Sequence, residues 1–277
     1  MESPILMSTG VISLAANQQQ EITDVTRLQN PFRTPMLLDE VRFIMADFGQ
    51  KNFLQAKFRL GRTSLTRDYT PIGNFCKNMR GNCSVLTWRL PKPLYIPANE
   101  YLVPHIRNTF TSTRSLEVIY AGRSLAADAP VPKSMFVPWV AAYQAPSVAS
   151  TGATGTDTTV VSSEADIVNP LDETVYVQRF IGRYQSVDAL GNSEPPAQYL
   201  DNTLIRAVNH EGTIMVKDST PFGNLFDYTT KVWPAGTVLP PKGFFLFEIQ
   251  RDFTGFTVSE TTAPIISMVG YREVQLR

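Results

Sequence analysis

The feature that most narrows what this chain can fold into is an internal repeat, because self-similarity fixes the architecture before any single element is assigned. Arg67-Asp68-Tyr69-Thr70-Pro71-Ile72-Gly73-Asn74-Phe75 matches Lys217-Asp218-Ser219-Thr220-Pro221-Phe222-Gly223-Asn224-Leu225. Both copies keep a basic residue, Asp, Thr-Pro, an apolar residue, Gly-Asn and a second apolar residue. Upstream, Asn30-Pro31 leads to Arg42-Phe43-Ile44 as Asn169-Pro170 leads to Arg179-Phe180-Ile181. Downstream, Trp88 precedes Pro97 and a run to Ile106, as Trp233 precedes Pro240 and a run to Ile249. Each half then closes on a strand-like stretch with Gly and Arg, at Gly122-Arg123 and at Gly270 with Arg272. The separations are 139 at Asn30/Asn169, 137 at Arg42/Arg179, 150 at Asp68/Asp218, 143 at Pro97/Pro240 and 148 at Gly122/Gly270. The jump from 137 to 150 calls for extra residues in the second half. The segment Asp188–Asn202, with Gly191-Asn192 and Pro195-Pro196, has the turn chemistry to hold them.

Each half is about 125–145 residues, a length that eight strands of ~6 residues and their turns fill. Strands are what the residues spell. In Phe53–Leu60 the apolar Leu54, Ala56, Phe58 and Leu60 alternate with Gln55, Lys57 and Arg59, the period of a half-buried strand. Val41, Phe43 and Met45 alternate with Arg42 and Ile44, and Val175, Val177 and Arg179 with Tyr176, Gln178 and Phe180. Leu116–Tyr120 and Phe244–Ile249 are short, β-branched or aromatic, and bounded by turn residues. Helical periodicity is scarce, with short helices conceivable only near Ser124–Ala129 and Pro196–Asn202. The expected fold is all-β: two tandem eight-stranded barrels or sandwiches arising from the duplication. The expected division is an arm over residues 1–9, a first barrel over 10–123, a linker over 124–134 and a second barrel over 135–277. Gly10–Leu14 is taken as the counterpart of Met135–Val140, and the Ser/Thr/Gly/Ala-rich tract 147–163 as an exposed loop. The apolar residues 10–14 are expected to form a strand and residues 1–9 to lie against a neighbouring subunit or another inner surface of an assembly.

Charge excludes one class of partner. Lys and Arg total 25 and Asp and Glu total 25, so no net field draws the chain to nucleic acid or anionic lipid. Residues 1–26 carry Glu2, Glu21 and Asp24 and no basic residue, so this segment cannot neutralise phosphate. Its lack of Lys and Arg also makes it a poor signal peptide, and no run approaches the eighteen apolar residues of a membrane-spanning helix. With 43% hydrophobic residues the chain can bury a sizeable core, and only 18% are charged, below the roughly 25% of an ordinary soluble domain.

Candidate chemistry is thin. A duplicated β-barrel invites comparison with two-domain cupins, but the only histidines, His105 and His210, stand at non-equivalent places in the halves. There is no Gly-x-Ser-x-Gly elbow and no phosphate loop ending in Gly-Lys-Ser/Thr. Asp39-Glu40 and Asp172-Glu173 are adjacent acids, which on a strand point to opposite faces and suit edges or turns. Cys76 and Cys83, in CKNMRGNC, are compatible with a local disulfide or, more simply, with two free thiols. No catalytic residue, cofactor site or metal site emerges. The one repeated element, Asp68, Thr70, Pro71, Gly73 and Asn74 with Asp218, Thr220, Pro221, Gly223 and Asn224, suits a structural turn, in which each Asp can bond the amide two residues on.

Two jelly-roll-sized halves with little charge, carried by Arg67–Phe75 with Lys217–Leu225 and Pro97–Ile106 with Pro240–Ile249, resemble the double jelly-roll major capsid proteins. That lineage includes tailless phages with an internal membrane and adenoviruses. The resemblance implies a non-enzymatic structural protein of the virion, assembled in the host cytoplasm. It implies homotrimers of pseudo-hexagonal outline that tile an icosahedral shell beside neighbouring capsomers, with different proteins at the fivefold vertices, minor capsid proteins, and a lipid membrane often beneath. Sequence-specific nucleic-acid contact is not implied. The rival classes are a phage spike or carbohydrate-binding double β-sandwich, which would carry exposed loop aromatics, and a metal-free bicupin-like storage or scaffold protein.

Overall fold

Alternating apolar residues give the chain strands, and Pro, Gly and Asn between them give tight reversals, so nearly every residue described in the computed structural model is strand or turn. The structure describes residues 3–21, 34–45, 53–76, 85–145, 160–186, 200–226, 232–252 and 262–276. The first half comprises β1 (Ser3–Leu14), β2 (Gln19–Glu21), β3 (Met36–Met45), β4 (Leu54–Leu60), β5 (Thr63–Ser64), β6 (Thr70–Pro71), β7 (Val85–Ile96), β8 (Leu102–Asn108) and β9 (Arg114–Ser124). The second comprises β10 (Ser134–Gln144), β11 (Val160–Val168), β12 (Val175–Ser186), β13 (Thr203–Asn209), β14 (Ile214–Pro221), β15 (Val232–Leu239), β16 (Phe244–Asp252) and β17 (Thr262–Gln275).

Each half folds into two facing sheets. In the first, β1-β9-β3-β7 faces β2-β8-β4-β5, with β6 also on β4; in the second, β10-β17-β12-β15 faces β11-β16-β13-β14. If β5 and β6 are taken as one interrupted strand, both halves read first-eighth-third-sixth and second-seventh-fourth-fifth. That order is the jelly roll, present twice.

The repeat also holds in register. Trp88 lies opposite Val41 and Trp233 opposite Phe180; Gly122 lies opposite Leu38 and Gly270 opposite Val177. Ala56 pairs with Thr70 and Ile106, as Ile205 pairs with Thr220 and Ile249. The third strand of each barrel carries a bulge at the same place, between Leu38 and Glu40 in β3 and between Val177 and Arg179 in β12. The retained glycines explain themselves here. A Cβ on Gly122 would stand 2.1 Å from the Leu37 carbonyl oxygen, and one on Gly270 2.3 Å from that of Tyr176, so only Gly lets the eighth strand pass the bulge.

Several expectations need correcting, and bulges cause two of the errors. The expected match of Arg42-Phe43-Ile44 to Arg179-Phe180-Ile181 is two residues out: Glu40 is the counterpart of Arg179 and Arg42 that of Ile181, the same separation that Leu38 and Val177 keep on the other side of the shared bulge. In β12 the inward set is therefore Val175 and Val177, then Phe180. The same bulge leaves both Asp39 and Glu40 outside the core rather than on opposite faces. The arm expected over residues 1–9 is, from Ser3 onward, the outer part of β1, paired with β9 from Ser3↔Ser124. Its register shifts between Ser8 and Val11, where Gly10 has φ 66°, so Ile5 and Met7 point inward before the shift, and Ile12 and Leu14 after it. A reading at one fixed phase therefore breaks the strand in two. The counterpart of Met135–Val140 is not Gly10–Leu14: Ile5 faces Gly122 as Trp139 faces Gly270. Residues 160–163 of the expected loop belong to β11, while 147–159 lie outside the described residues. Between Ser124 and Ala129 the chain makes a turn, with the Ala129 amide donating to the Ala126 carbonyl at 3.0 Å, and no helix; of 196–202, Leu200 and Asp201 are helical and 196–199 are not described.

Candidate functional site

The duplicated element is a strand end that Pro turns into a single helical turn. Pro71 (φ −51°, ψ 134°) leads into a 3-10 turn over Ile72–Asn74, closed by the Phe75 amide on the Ile72 carbonyl at 3.2 Å. Pro221 (φ −53°, ψ 135°) leads into a one-turn α-helix over Phe222–Leu225, closed by the Phe226 amide on the Phe222 carbonyl at 3.0 Å. The fixed φ of Pro suits the entry to a helix, which accounts for its retention in both copies. The Thr70 hydroxyl donates to the Asp68 carbonyl at 3.4 Å. The Asp68 carboxylate does not bond the amide two residues on; it pairs with Arg67 Nε at 3.3 Å. The Asp218 side chain lies outside the described set.

The copies share a backbone but differ in what surrounds them. The first copy is wedged against the outer face of the second barrel's β10-β17-β12 sheet. Asn74, fully buried, donates through Nδ2 to Ser267 Oγ at 2.7 Å, and Arg183 Nε donates to the Gly73 carbonyl at 2.9 Å. Just upstream, Thr66 makes a parallel bridge to Val140, with the Arg67 amide on the Val140 carbonyl at 2.9 Å and Arg67 Nη1 on the Val168 carbonyl at 2.8 Å. The hydrophobic cluster of the first barrel continues into Val140, Ile181 and Val269 of the second. Arg183 is buried, and its bond to a carbonyl offsets part of the cost of removing it from water. Arg179, beside it, has its pKa lowered by burial, and burial pushes the Cys76 thiol up to about 12 against the pull of Arg183 and Arg179. Cys76 is thus an inert packing residue; Cys83 lies outside the described residues.

Among the described residues no such packing against the other barrel surrounds the second copy. Thr220, Pro221 and Leu225 are half-buried, Gly223 is buried and Asn224 is exposed. Correspondingly, the first barrel's outer sheet face is open: Leu6 is 65% and Val11 76% exposed on β1. Leu6 follows Ile5 as Val140 follows Trp139, and Val140 is fully buried. Burying such a side chain is worth about 1.5–3 kcal/mol.

The sequence reading found the repeated turn and missed its receptor. A signal was present in Met135-Phe136-Val137-Pro138-Trp139-Val140, which is apolar without alternation, as in a strand covered on both faces. The other candidates fall apart in space. His105 is on β8 and His210 in the turn after β13, 3.9 Å from a Glu211 oxygen. Glu40 accepts from Arg42 Nε at 2.6 Å, Lys242 stands 3.4 Å from Asp172, and Arg272 binds Glu173 at 3.0 Å. Those acids hold neighbouring cations.

No family model matches the chain, and no curated protein matches it in sequence. Among solved structures it is similar to the major capsid protein of bacteriophage PM2, at 10% identity over 99% of each chain with a TM-score of 0.50. It is also similar to the major capsid protein of STIV, at 10% identity over 97% of this chain and 96% of that one, with a TM-score of 0.51. At that identity the likeness is one of fold, the double jelly roll of major capsid proteins, carried over nearly the whole length.

Proposed function

We propose that this double jelly-roll chain is the shell-forming major capsid protein of an icosahedral virus, with no enzymatic role. The observation that carries the proposal is a full-length double jelly roll, shared with two viral major capsid proteins, whose barrels already pack side by side within one chain. In it, residues 3–124 and 134–276 act as two similar building blocks, and three chains supply six of them to a homotrimer of pseudo-hexagonal outline. The weakly charged surface suits close lateral packing between capsomers. Neighbouring capsomers, a different protein at the vertices, minor capsid proteins and an underlying lipid layer complete the shell, which is assembled in the host cytoplasm. The duplicated turns, from Asp68 to Asn74 and from Asp218 to Asn224, serve structure and packing. Light scattering on the purified chain should give a trimer whose contacts exceed the ~2,000 Å² typical of obligate assemblies, and negative-stain images should show hexagonal outlines. A chain that stays monomeric at micromolar concentration and binds a sugar through exposed aromatics would instead establish the carbohydrate-binding alternative.

A further inference from the structure

A guanidinium drawn out of water needs a counter-charge or a full set of acceptors, and otherwise destabilises the fold. On β12, Phe180 and Gly182 face the second barrel's core, so Arg179, Ile181 and Arg183 face outward, toward the first barrel. Ile181 and Arg183 are covered there, whereas Arg179 is half-buried. Its Nε is closed to solvent without a hydrogen-bond partner, and Arg179 stands in no ion pair among the described residues. Its neighbours across the sheet are Val269 and Pro234, neither of them charged. Arg183, on the same face, donates to the neutral Gly73 carbonyl, and both guanidiniums bear on one thiol, that of Cys76. The sequence that runs on from Cys76, residues 77–84, contains no Asp or Glu. Duplication supplies the contrast. The counterpart of Arg179 is Glu40, which accepts from Arg42 Nε at 2.6 Å and stands 3.8 Å from Arg89 Nε. Ile181 and Pro234 stand where Arg42 and Arg89 do, so a balanced cluster in one barrel is an unbalanced cation in the other.

We infer that the seam between the barrels binds a small tetrahedral oxyanion, of the phosphate or sulfate class, at Arg179 with Arg183 beside it. Such an ion offers Arg179 the acceptors that Val269 and Pro234 lack, and sets negative charge against two guanidiniums. The ion is a free one: the inner edge of the guanidinium is closed to solvent, which suits a small anion better than the ester of a larger molecule. Binding there strengthens the contact between the barrels, because the site exists only where the first covers the second. The site goes beyond the shell-protein proposal and stands or falls without it.

The test titrates inorganic phosphate into the full chain at constant ionic strength. The wild type should bind one ion per chain, with a melting temperature that rises to a plateau about 3 °C higher. Arg179→Met should bind at least tenfold more weakly. Relieved of an unbalanced cation, it should also melt above the wild type in phosphate-free buffer. Lys57→Met, on the outer face of β4, should bind as the wild type does. Sulfate should compete with phosphate, and glycerol phosphate, an ester, should compete at least tenfold less well. An equal rise in wild type and Arg179→Met would be the general effect of excluded salts and would overturn the site. An Arg179→Met chain that melts lower without phosphate would show the cation already balanced, and would overturn it too. Tighter binding of glycerol phosphate would overturn the assignment to a free ion. Each of these failures leaves the trimer, read by light scattering, untouched.

Discussion

The two barrels share a strand order and fill it differently. In the first barrel Phe43 and Cys76 occupy positions that Gly182 and Phe226 occupy in the second, so the same part of the core is filled from opposite sides. A Cβ on Gly182 would meet the Phe226 ring at 2.3 Å. On the facing strands, Phe58 opposite Pro104 becomes Ala207 opposite Phe247. Large and small residues have exchanged places, with volume roughly kept. What has not exchanged is what the backbone demands: the bulge in the third strand, the Gly that passes it, and the Pro that starts the turn. Duplication has thus conserved path and compensated packing, while the outer faces diverged most: one sheet became a receptor covered inside the chain, and the other remained open.

If the backbone demands really are common to both barrels, the largest effects should come from Gly122→Ala and Gly270→Ala. Each places a Cβ against a carbonyl of the bulged strand, 2.1 Å away in one barrel and 2.3 Å in the other, and a carbonyl cannot retreat without losing the bulge. Each substitution should destabilise by about 3 kcal/mol or more, at the upper end of overpacking costs. Thermal melts checked against denaturant titrations would measure both. A large loss in one barrel beside a tolerated change in the other would break the equivalence.

The exchange of core volumes makes a smaller and sharper prediction. Phe226→Cys alone opens a cavity in the second barrel and should cost about 3 kcal/mol. Gly182→Phe alone overfills the same space. The double variant copies the first barrel, so it should recover more than ~1 kcal/mol relative to the sum of the single losses, a coupling expected only for residues in contact. Additive losses would mean that the two cores are filled by unrelated solutions.

How far sequence could reach follows the same division. Strands, their order of appearance and the duplicated turn were legible, because alternation and Thr-Pro-x-Gly-Asn are local signals. Wherever a bulge shifts the phase, local alternation misleads: β1 was cut at Gly10, and Asp39 and Glu40 were placed on opposite faces. The barrel contact was illegible for a different reason. Asn74 and Asn224 sit in the same motif, yet one is fully buried against Ser267 and the other exposed, a difference set by the neighbour and not by the motif.

The smallest effect tests whether the first barrel has kept a polar group that the second has shed. Tyr120 and Met268 are counterparts, each lying across from the core-facing residue after the bulge, Val41 and Phe180. Both are fully buried, and the Tyr120 hydroxyl has no hydrogen-bond partner among the described residues. An unpaired buried hydroxyl destabilises the fold, so Tyr120→Phe, which keeps the ring, should be neutral or stabilising by up to about 1 kcal/mol. Burial also raises the phenol pKa well above its ordinary 10.0. In the unfolded chain the phenol ionises near its ordinary value, while in the fold it stays protonated, so its contribution is fully present below pH 10.0 and declines as pH rises above it. Removing the hydroxyl removes that term. Urea titrations between pH 8 and 11 should therefore show a shallower alkaline loss for Tyr120→Phe than for the parent chain, with Met268→Leu as the matched change in the second barrel leaving the alkaline slope untouched. A Tyr120→Phe variant that is less stable at neutral pH, with an unchanged alkaline slope, would mean that the hydroxyl is paired after all and that the two cores differ less in polarity than the buried Tyr implies.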